Sequence, residues 1–447
     1  MVAALPHTTV GYLLSAAAIT LIYFSYTIFY NLYLHPLAKF PGPKIAACTK
    51  YWYILKWTSG RYPYINRELH ERYGDVVRVS PNELSFSKVE SWNEIYGHAN
   101  KGRKPFLKSN FYDNGKYPHV VTARDPEEHR KQRRALSHAF SAQALRDQES
   151  VVQEYVNMFI DGLEKWGTGT QGLNIVEAFN WVTFDIIGEL AFGESFGACK
   201  LGRSHPWVST VVDSVREQDL LSHQREVPWL VLLFPFLIPK DLPEKFKMHR
   251  QYTLEKVATR IEKQDRITRT DFFKHILEKG DLPRQGLESN ADLLIVAGSE
   301  TTATALSGVA YYLSKDPDCL SKLKNEVRGA FTSFDSITGD ATAKLPYLHA
   351  VIEEGLRIYP PVPFGLKRLS PGAVVSEQYI PEGTVVSTPS WVAHHDSRYW
   401  KDPDAFRPER WLDEGWGDNK QAFNPFSLGP RVCLGVNLAY VYHYMST

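Results

Sequence analysis

The chain has 447 residues, 43% hydrophobic and 23% charged, with 51 basic against 50 acidic side chains and a net charge of +1. This composition excludes bulk disorder, and the balanced charge leaves no footprint for nucleic acid or another polyanionic partner. Cys48, Cys199, Cys319 and Cys433 form no CxxC pair, so the spacing supports neither a disulfide framework nor a structural zinc site, and a reducing compartment fits better.

The first element is a run of 25 uncharged residues, 10–34 (VGYLLSAAAITLIYFSYTIFYNLYL). As a helix it would measure about 37 Å, enough to cross a hydrocarbon core of about 30 Å with some tilt. It is too long for the apolar part of a cleaved signal, no basic segment precedes it, and aromatics stand where a small-residue cleavage site would be. Residues 10–34 are therefore predicted to be an uncleaved transmembrane anchor. Lys39, Lys44 and Lys50 follow it and no charged side chain precedes it, which places residues 1–9 in the lumen and the rest in the cytosol.

Residues 35–44 (HPLAKFPGPK) carry Pro36, Pro41 and Pro43, which predicts a stiff hinge that cannot continue the helix. No later stretch reads as a linker, so residues 45–447 are predicted to be one large domain. PYINRELHERYG predicts a helix stopped at Gly74, and DVVRVSPNELSF a short β pair. DPEEHRKQRRALSHAF, SVVQEYVNMFIDGLEKWG and FNWVTFDIIGELAFG predict further helices. PWLVLLFPFLIP, residues 228–239, is too short to span a bilayer; it reads as a buried segment or as one dipping into the membrane surface. SNADLLIVAGSETTATALSGVAYYLSK predicts a long apolar helix ending at Asp316-Pro317. AVVSEQYIPEGTVVSTPSW predicts strands joined at a Pro-Glu-Gly turn. The fold class is mainly α with small β-sheets.

Three stretches carry chemistry. In FSLGPRVCLG, residues 426–435, Gly429 and Gly435 permit tight turning and close approach. Arg431 offers fixed donors for a carboxylate, and Phe426 can shield whatever Cys433 binds. A lone cysteine is more often a small buried hydrophobe, but a thiolate among backbone N–H groups and an aromatic is a ligand set for haem iron. In AGSETT, residues 297–302, a carboxylate and hydroxyls interrupt an apolar helix, where unused polar groups are costly; the plainer alternative is Ser/Thr back-bonding to the preceding turn. EEGLR sets Glu354 and Arg357 three apart, which alone would be a surface ion pair.

The cysteine loop resembles that of the cytochrome P450 family, the haem-thiolate monooxygenases, at all five of its specified positions: Phe426, Gly429, Arg431, Cys433 and Gly435. Chance would produce such a match in about one chain of this length in ten thousand. The resemblance implies a P450 fold with an N-terminal transmembrane helix, and haem b held by Cys433. It implies that Ala297 and Gly298 leave room for oxygen over the haem, and that Glu300 and Thr301 relay protons. It further implies that Glu354, Arg357 and Arg410 of FRPERW form a structural network beneath the cysteine loop. His129, Arg133, Arg368 and Arg431 would bind haem propionates, with His129 standing where the family has tryptophan; a surface-charge reading of His129 and Arg133 stays open. Residues 105–121, the helix face near Ile295 and residues 363–366 would face substrate.

The resemblance is nearest to microsomal fungal enzymes of secondary metabolism. It implies a lipophilic small-molecule substrate, O2 as co-substrate, NADPH through a cytochrome P450 reductase, and the endoplasmic reticulum membrane. Only 14 residues follow Cys433, fewer than the family has, so the chain is expected to be truncated, with exposed apolar surface and a loosened loop. An inactive, truncated remnant is therefore an alternative. A haem-thiolate isomerase or dehydratase is a third reading, against which the Glu300–Thr301 pair argues.

Overall fold

The computed structural model describes residues 9–99, 102–113, 117–169, 172–208, 210–211, 221–224, 226–227, 241–263, 271–279, 282–412 and 416–446. The predicted apolar segment 228–239 lies outside them.

Helix α1 (Thr9–Phe29) continues as a π-helical turn over Tyr30–Leu34, an apolar run exposed along almost its whole length. It is a candidate membrane span, whose side chains would meet lipid instead of protein. The hinge that follows is seated on the body. Leu37 and Phe40 are buried, Arg78 donates its backbone N–H to the Pro41 carbonyl at 2.8 Å, and its Nη1 reaches the Asn31 carbonyl at 2.6 Å.

The predicted helices form where capping and periodicity place them. Helix α2 (Tyr62–Tyr73) stops at Gly74, whose φ of 94° is open to glycine. Helix α3 (Pro126–Ser137) is capped by Asp125, whose carboxylate accepts the Glu128 N–H at 2.8 Å. Helix α4 (Glu149–Gly167) packs on α5 (Ile175–Phe192), and α5 packs along the long α6 (Arg284–Lys315). Together α4, α5 and α6 build the largest core, around Phe184, Ile187, Leu294 and Leu306. Although α6 is apolar enough to span a bilayer, half of that stretch is buried inside the fold, and it is a core helix. Helix α7 (Pro346–Ile358) and the final helix α8 (Val436–Ser446) pack on its other side.

Strands β1 (Val76–Ser80) and β2 (Glu83–Phe86) are the predicted antiparallel pair. They belong to a five-stranded sheet that also takes β3 (Leu107–Lys108), β4 (Arg368–Leu369) and, after the hairpin β5 (Ala373–Val375) and β6 (Gln378–Ile380), β7 (Val385–Ser387). The order is β1-β2-β7-β4-β3, with β2 and β7 parallel. The hairpin turn falls at Ser376-Glu377, with φ of 48° and 67°, and not at the predicted Pro-Glu-Gly. Positive φ at both central residues matches the twist of a two-residue hairpin, while Pro381-Glu382-Gly383 carries the chain to the other sheet.

The final helix is not loose. Leu438 is 4% and Tyr442 1% exposed, and both belong to the main core. Within this helix Tyr442 Oη and His443 Nδ1 are buried without a hydrogen-bond partner. Burial pushes the His443 imidazole down to about 4.

Candidate haem-thiolate site

The loop before α8 is wound tightly by backbone constraints. Ser427 and Gly429 both take positive φ, 63° and 69°, and the Cys433 N–H donates to the Phe426 carbonyl at 2.9 Å. A Cβ on Gly429 would lie 2.2 Å from the Tyr96 carbonyl oxygen, so this position needs glycine both for its dihedral and for its neighbour. Gly435 differs: a Cβ there would meet nothing within 4 Å, and the residue lines a cavity of about 320 Å³.

Cys433 lines the same cavity and is the one exposed cysteine of the four. Packing around it pushes its thiol up, against the Gly435 N–H and the positive charge of Arg133, which both favour the thiolate. Arg133 is fixed by a 2.7 Å hydrogen bond from Nη1 to the Val432 carbonyl. Arg431 donates to the carbonyls of Ala123 and Arg124 at 2.6 and 3.0 Å.

Around this end of the cavity Lys108, His129, Arg133, Arg368 and Arg431 converge, and no Asp or Glu is among the described residues that line it. Burial, followed by repulsion from Arg431, Lys108, Arg133 and Arg368, pushes His129 down to about 3. Burial and Arg368 bring Arg431 down to about 10, and burial with the same arginines holds Lys108 well below the usual lysine range. Gathering cations in a buried place is unfavourable unless an anion joins them. The donor set therefore fits a ligand that presents carboxylates to these cations and a metal to Cys433. The surface-charge reading of His129 and Arg133 fails, since His129 is buried and both face the cavity.

Much of the remaining lining is apolar, including Val120, Val121, Leu293, Leu294, Phe364 and Leu366. Residues 105–121 and 363–366 were expected here and contribute, as does the helix face near Ile295 through Leu294 and Ala297, while Ile295 itself is fully buried and outside the lining. Thr301 lines the cavity and donates its hydroxyl to the Ala297 carbonyl at 2.8 Å. The back-bonding reading and a place on the cavity thus hold together. Glu300 is absent from the lining. Its Oε1 is buried without a partner, and burial pushes the carboxyl up to about 6. Gly298 serves packing as much as space, because a Cβ there would lie 2.7 Å from Ile187 Cδ1.

Glu354, Arg357 and Arg410 sit apart from the cavity, each 0% exposed, so the surface ion pair is excluded. Arg357 Nε and Nη2 donate to the two Glu354 oxygens at 2.8 and 2.7 Å, and Arg410 Nε donates to Oε1 at 3.1 Å. Arg357 also reaches the carbonyls of His394, Pro403 and Ala405. Two further members were not singled out from the sequence: Trp411, the last residue of FRPERW, donates its Nε1–H to Glu354 at 2.9 Å, and Asp418 accepts from Arg410 Nη1 at 2.6 Å. Lys108 and Tyr112 were likewise not singled out, because a lysine in a polar stretch reads as a surface residue.

A family model described as Cytochrome P450 matches residues 43–443. The chain belongs to the cytochrome P450 family. Among its relatives, cytochrome P450 monooxygenase BOA3 of Botryotinia fuckeliana is 44% identical over 95% of this chain and 86% of its own length. Cytochrome P450 monooxygenase poxC of Penicillium oxalicum is 41% identical over 95% and 84%. Cytochrome P450 monooxygenase astJ of Aspergillus oryzae is 39% identical over 92% and 84%. The chain is an oxidoreductase of the monooxygenase type, and family membership implies haem iron, dioxygen and electrons from a reductase.

Proposed function

We propose that this P450 holds haem b on Cys433 and hydroxylates a lipophilic small molecule in a fungal secondary pathway. It would use O2 and NADPH electrons passed on by a cytochrome P450 reductase. Residues 10–34 would anchor it in the endoplasmic reticulum membrane, with the hinge at 35–44 and the haem domain from residue 45 in the cytosol. The bound haem would supply the activation of oxygen; the protein's part is binding, orientation and proton handling.

Cys433 would be the metal ligand, with the Gly435 N–H and Arg133 stabilising its negative charge. Arg133, Arg368, Arg431, His129 and Lys108 would neutralise the haem carboxylates, and Phe426 would cover the thiolate side. Ala297 and Gly298 would set how closely α6 approaches the oxygen site. Thr301 Oγ1 would accept and pass on a proton at the cavity wall. Glu300, ionising near neutral pH, would replenish that proton through water from the other side of the helix turn. The apolar wall excludes bulk water and favours lipophilic substrates. Glu354, Arg357 and Arg410 would brace the loop.

The observation that carries the reading is the cation cluster, with no Asp or Glu among the described lining residues, in the same cavity as Cys433. The test is a reduced, carbon-monoxide difference spectrum of the full chain, followed by turnover with a reductase under labelled dioxygen. A thiolate-type band with label in the product is expected. Absence of the band would overturn haem ligation; a band with unlabelled product would favour an isomerase or dehydratase.

A further inference from the structure

Aromatic rings run in contact from the cavity wall beside Cys433 to the protein surface. Phe426 lines the cavity, and its ring centroid lies 5.5 Å from that of Tyr440. Tyr440 stacks on Tyr444 at 5.8 Å, and Tyr444 Oη is 2.8 Å from Nδ1 of His349, an exposed residue. These separations are those of touching rings. Each phenol also has a proton acceptor: Tyr440 Oη donates to the Glu353 carboxylate, and Tyr444 Oη to His349 Nδ1 in the tautomer that leaves this nitrogen free. Glu353 is buried, and burial pushes its carboxyl up while the Tyr440 bond restrains it, so it takes a proton readily. Packing alone would explain stacked rings. It does not explain why both phenols are paired with bases along a path that starts at the cavity and ends in solvent.

We propose that Tyr440 and Tyr444 form a one-electron relay that rescues the haem-thiolate centre after a peroxide has oxidised it with no substrate present; this rests on the assignment of haem to Cys433. Tyr440 gives one electron to the oxidised centre and its phenolic proton to Glu353, breaking only the O–H bond. Tyr444 then gives one electron to the Tyr440 phenoxyl, which recovers its proton from Glu353, while the Tyr444 proton passes to His349 Nδ1. A one-electron reductant of the thiol or ascorbate class restores Tyr444 at the surface, and the proton returns from His349. Two passages consume the two oxidising equivalents of one peroxide; the reductant releases its two protons to solvent and two solvent protons reach the cavity to complete the water formed from the peroxide oxygen, so the enzyme would also act as a slow peroxidase toward such reductants.

The test uses the ferric, haem-loaded full chain in detergent, mixed with a peracid without substrate, frozen rapidly and read by electron paramagnetic resonance. Each preparation is first checked for a thiolate-type carbon-monoxide band. A tyrosyl radical is expected in the unaltered enzyme, with loss of the signal in Tyr440→Phe. Tyr444→Phe should leave a signal on Tyr440 that surface reductants no longer quench. Glu353→Gln should slow its appearance, and Tyr379→Phe, an exposed hairpin site, should leave it unchanged. With the band present, no radical in the unaltered enzyme, or an undiminished radical in Tyr440→Phe/Tyr444→Phe, would overturn the relay alone. Loss of the band in the unaltered enzyme would overturn the haem assignment together with it.

Discussion

Glu354→Gln tests the buried network most directly. The substitution keeps the shape of the side chain and removes its charge. In the structure the two carboxylate oxygens accept from Arg357 Nε and Nη2, Arg410 Nε, the Arg407 N–H and Trp411 Nε1, at 2.7 to 3.1 Å. Arg357 and Arg410 are fully buried. Arg410 keeps Asp418 as a counter-charge, whereas Arg357 would be left with carbonyl oxygens only. An amide in place of the carboxylate also sets N–H donors against guanidinium donors. Breaking a buried pair by removing one partner costs about 3–5 kcal/mol, against a total stability of roughly 5–15 kcal/mol. Denaturant unfolding of the haem-loaded enzyme, followed by the thiolate band, reads this loss. The comparison is Arg67→Gln, which breaks a pair with Asp404, whose side chain is 66% exposed; that change should cost about 0–1 kcal/mol. If Glu354→Gln also costs under about 1 kcal/mol and keeps its thiolate band, the network does not support the loop.

The two loop glycines should behave differently. Gly429→Ala places a methyl 2.2 Å from the Tyr96 carbonyl at a φ of 69° and should abolish the thiolate band through misfolding of the loop. Gly435→Ala should unfold like the unaltered chain when haem-free yet retain haem less well, because its methyl enters open cavity space; haem transfer to a scavenger protein would measure this. Haem loading at neutral pH should be accompanied by proton uptake, since an anion beside His129 and Lys108 reverses the causes that hold them low; calorimetry in buffers of different ionisation enthalpy would detect it. For Glu300, burial raises the carboxyl from 4.5 to about 6, so the folded chain binds more protons than the unfolded chain between those values and stability falls as pH rises through that window. Glu300→Gln should therefore match the unaltered chain near pH 4.5 and exceed it at pH 7.5, by up to about 2 kcal/mol; equal stability at both pH values would refute the burial of this carboxylate.

Chemistry that lies within a few consecutive residues was legible before any fold was known. Cys433 and its glycines are local because a ligand loop must present one atom from a tightly turned backbone. The apolar run at residues 10–34 is local because bilayer thickness sets helix length. Helical patterning revealed α2 to α6 for the same reason, since the apolar residues each helix buries recur along its own sequence.

What needed the tertiary structure is what depends on direction. Glu300 and Thr301 are adjacent, and neighbours on a helix point about 100° apart, so only the packing of α6 decides that Thr301 meets the cavity while Glu300 does not. The hairpin turn at Ser376-Glu377 has no glycine or asparagine to announce its positive φ, and strand pairing selects it. Lys108, Tyr112 and Asp418 carry no motif, and their tertiary neighbours give each its role. The sequence thus specified a cysteine loop, a helix carrying a hydroxyl and a carboxylate, and an apolar candidate membrane span. Folding alone could bring cations from residues 108, 129, 133, 368 and 431 into one buried place, because the electrostatic demand for an anion arises only when distant charges are held together out of water.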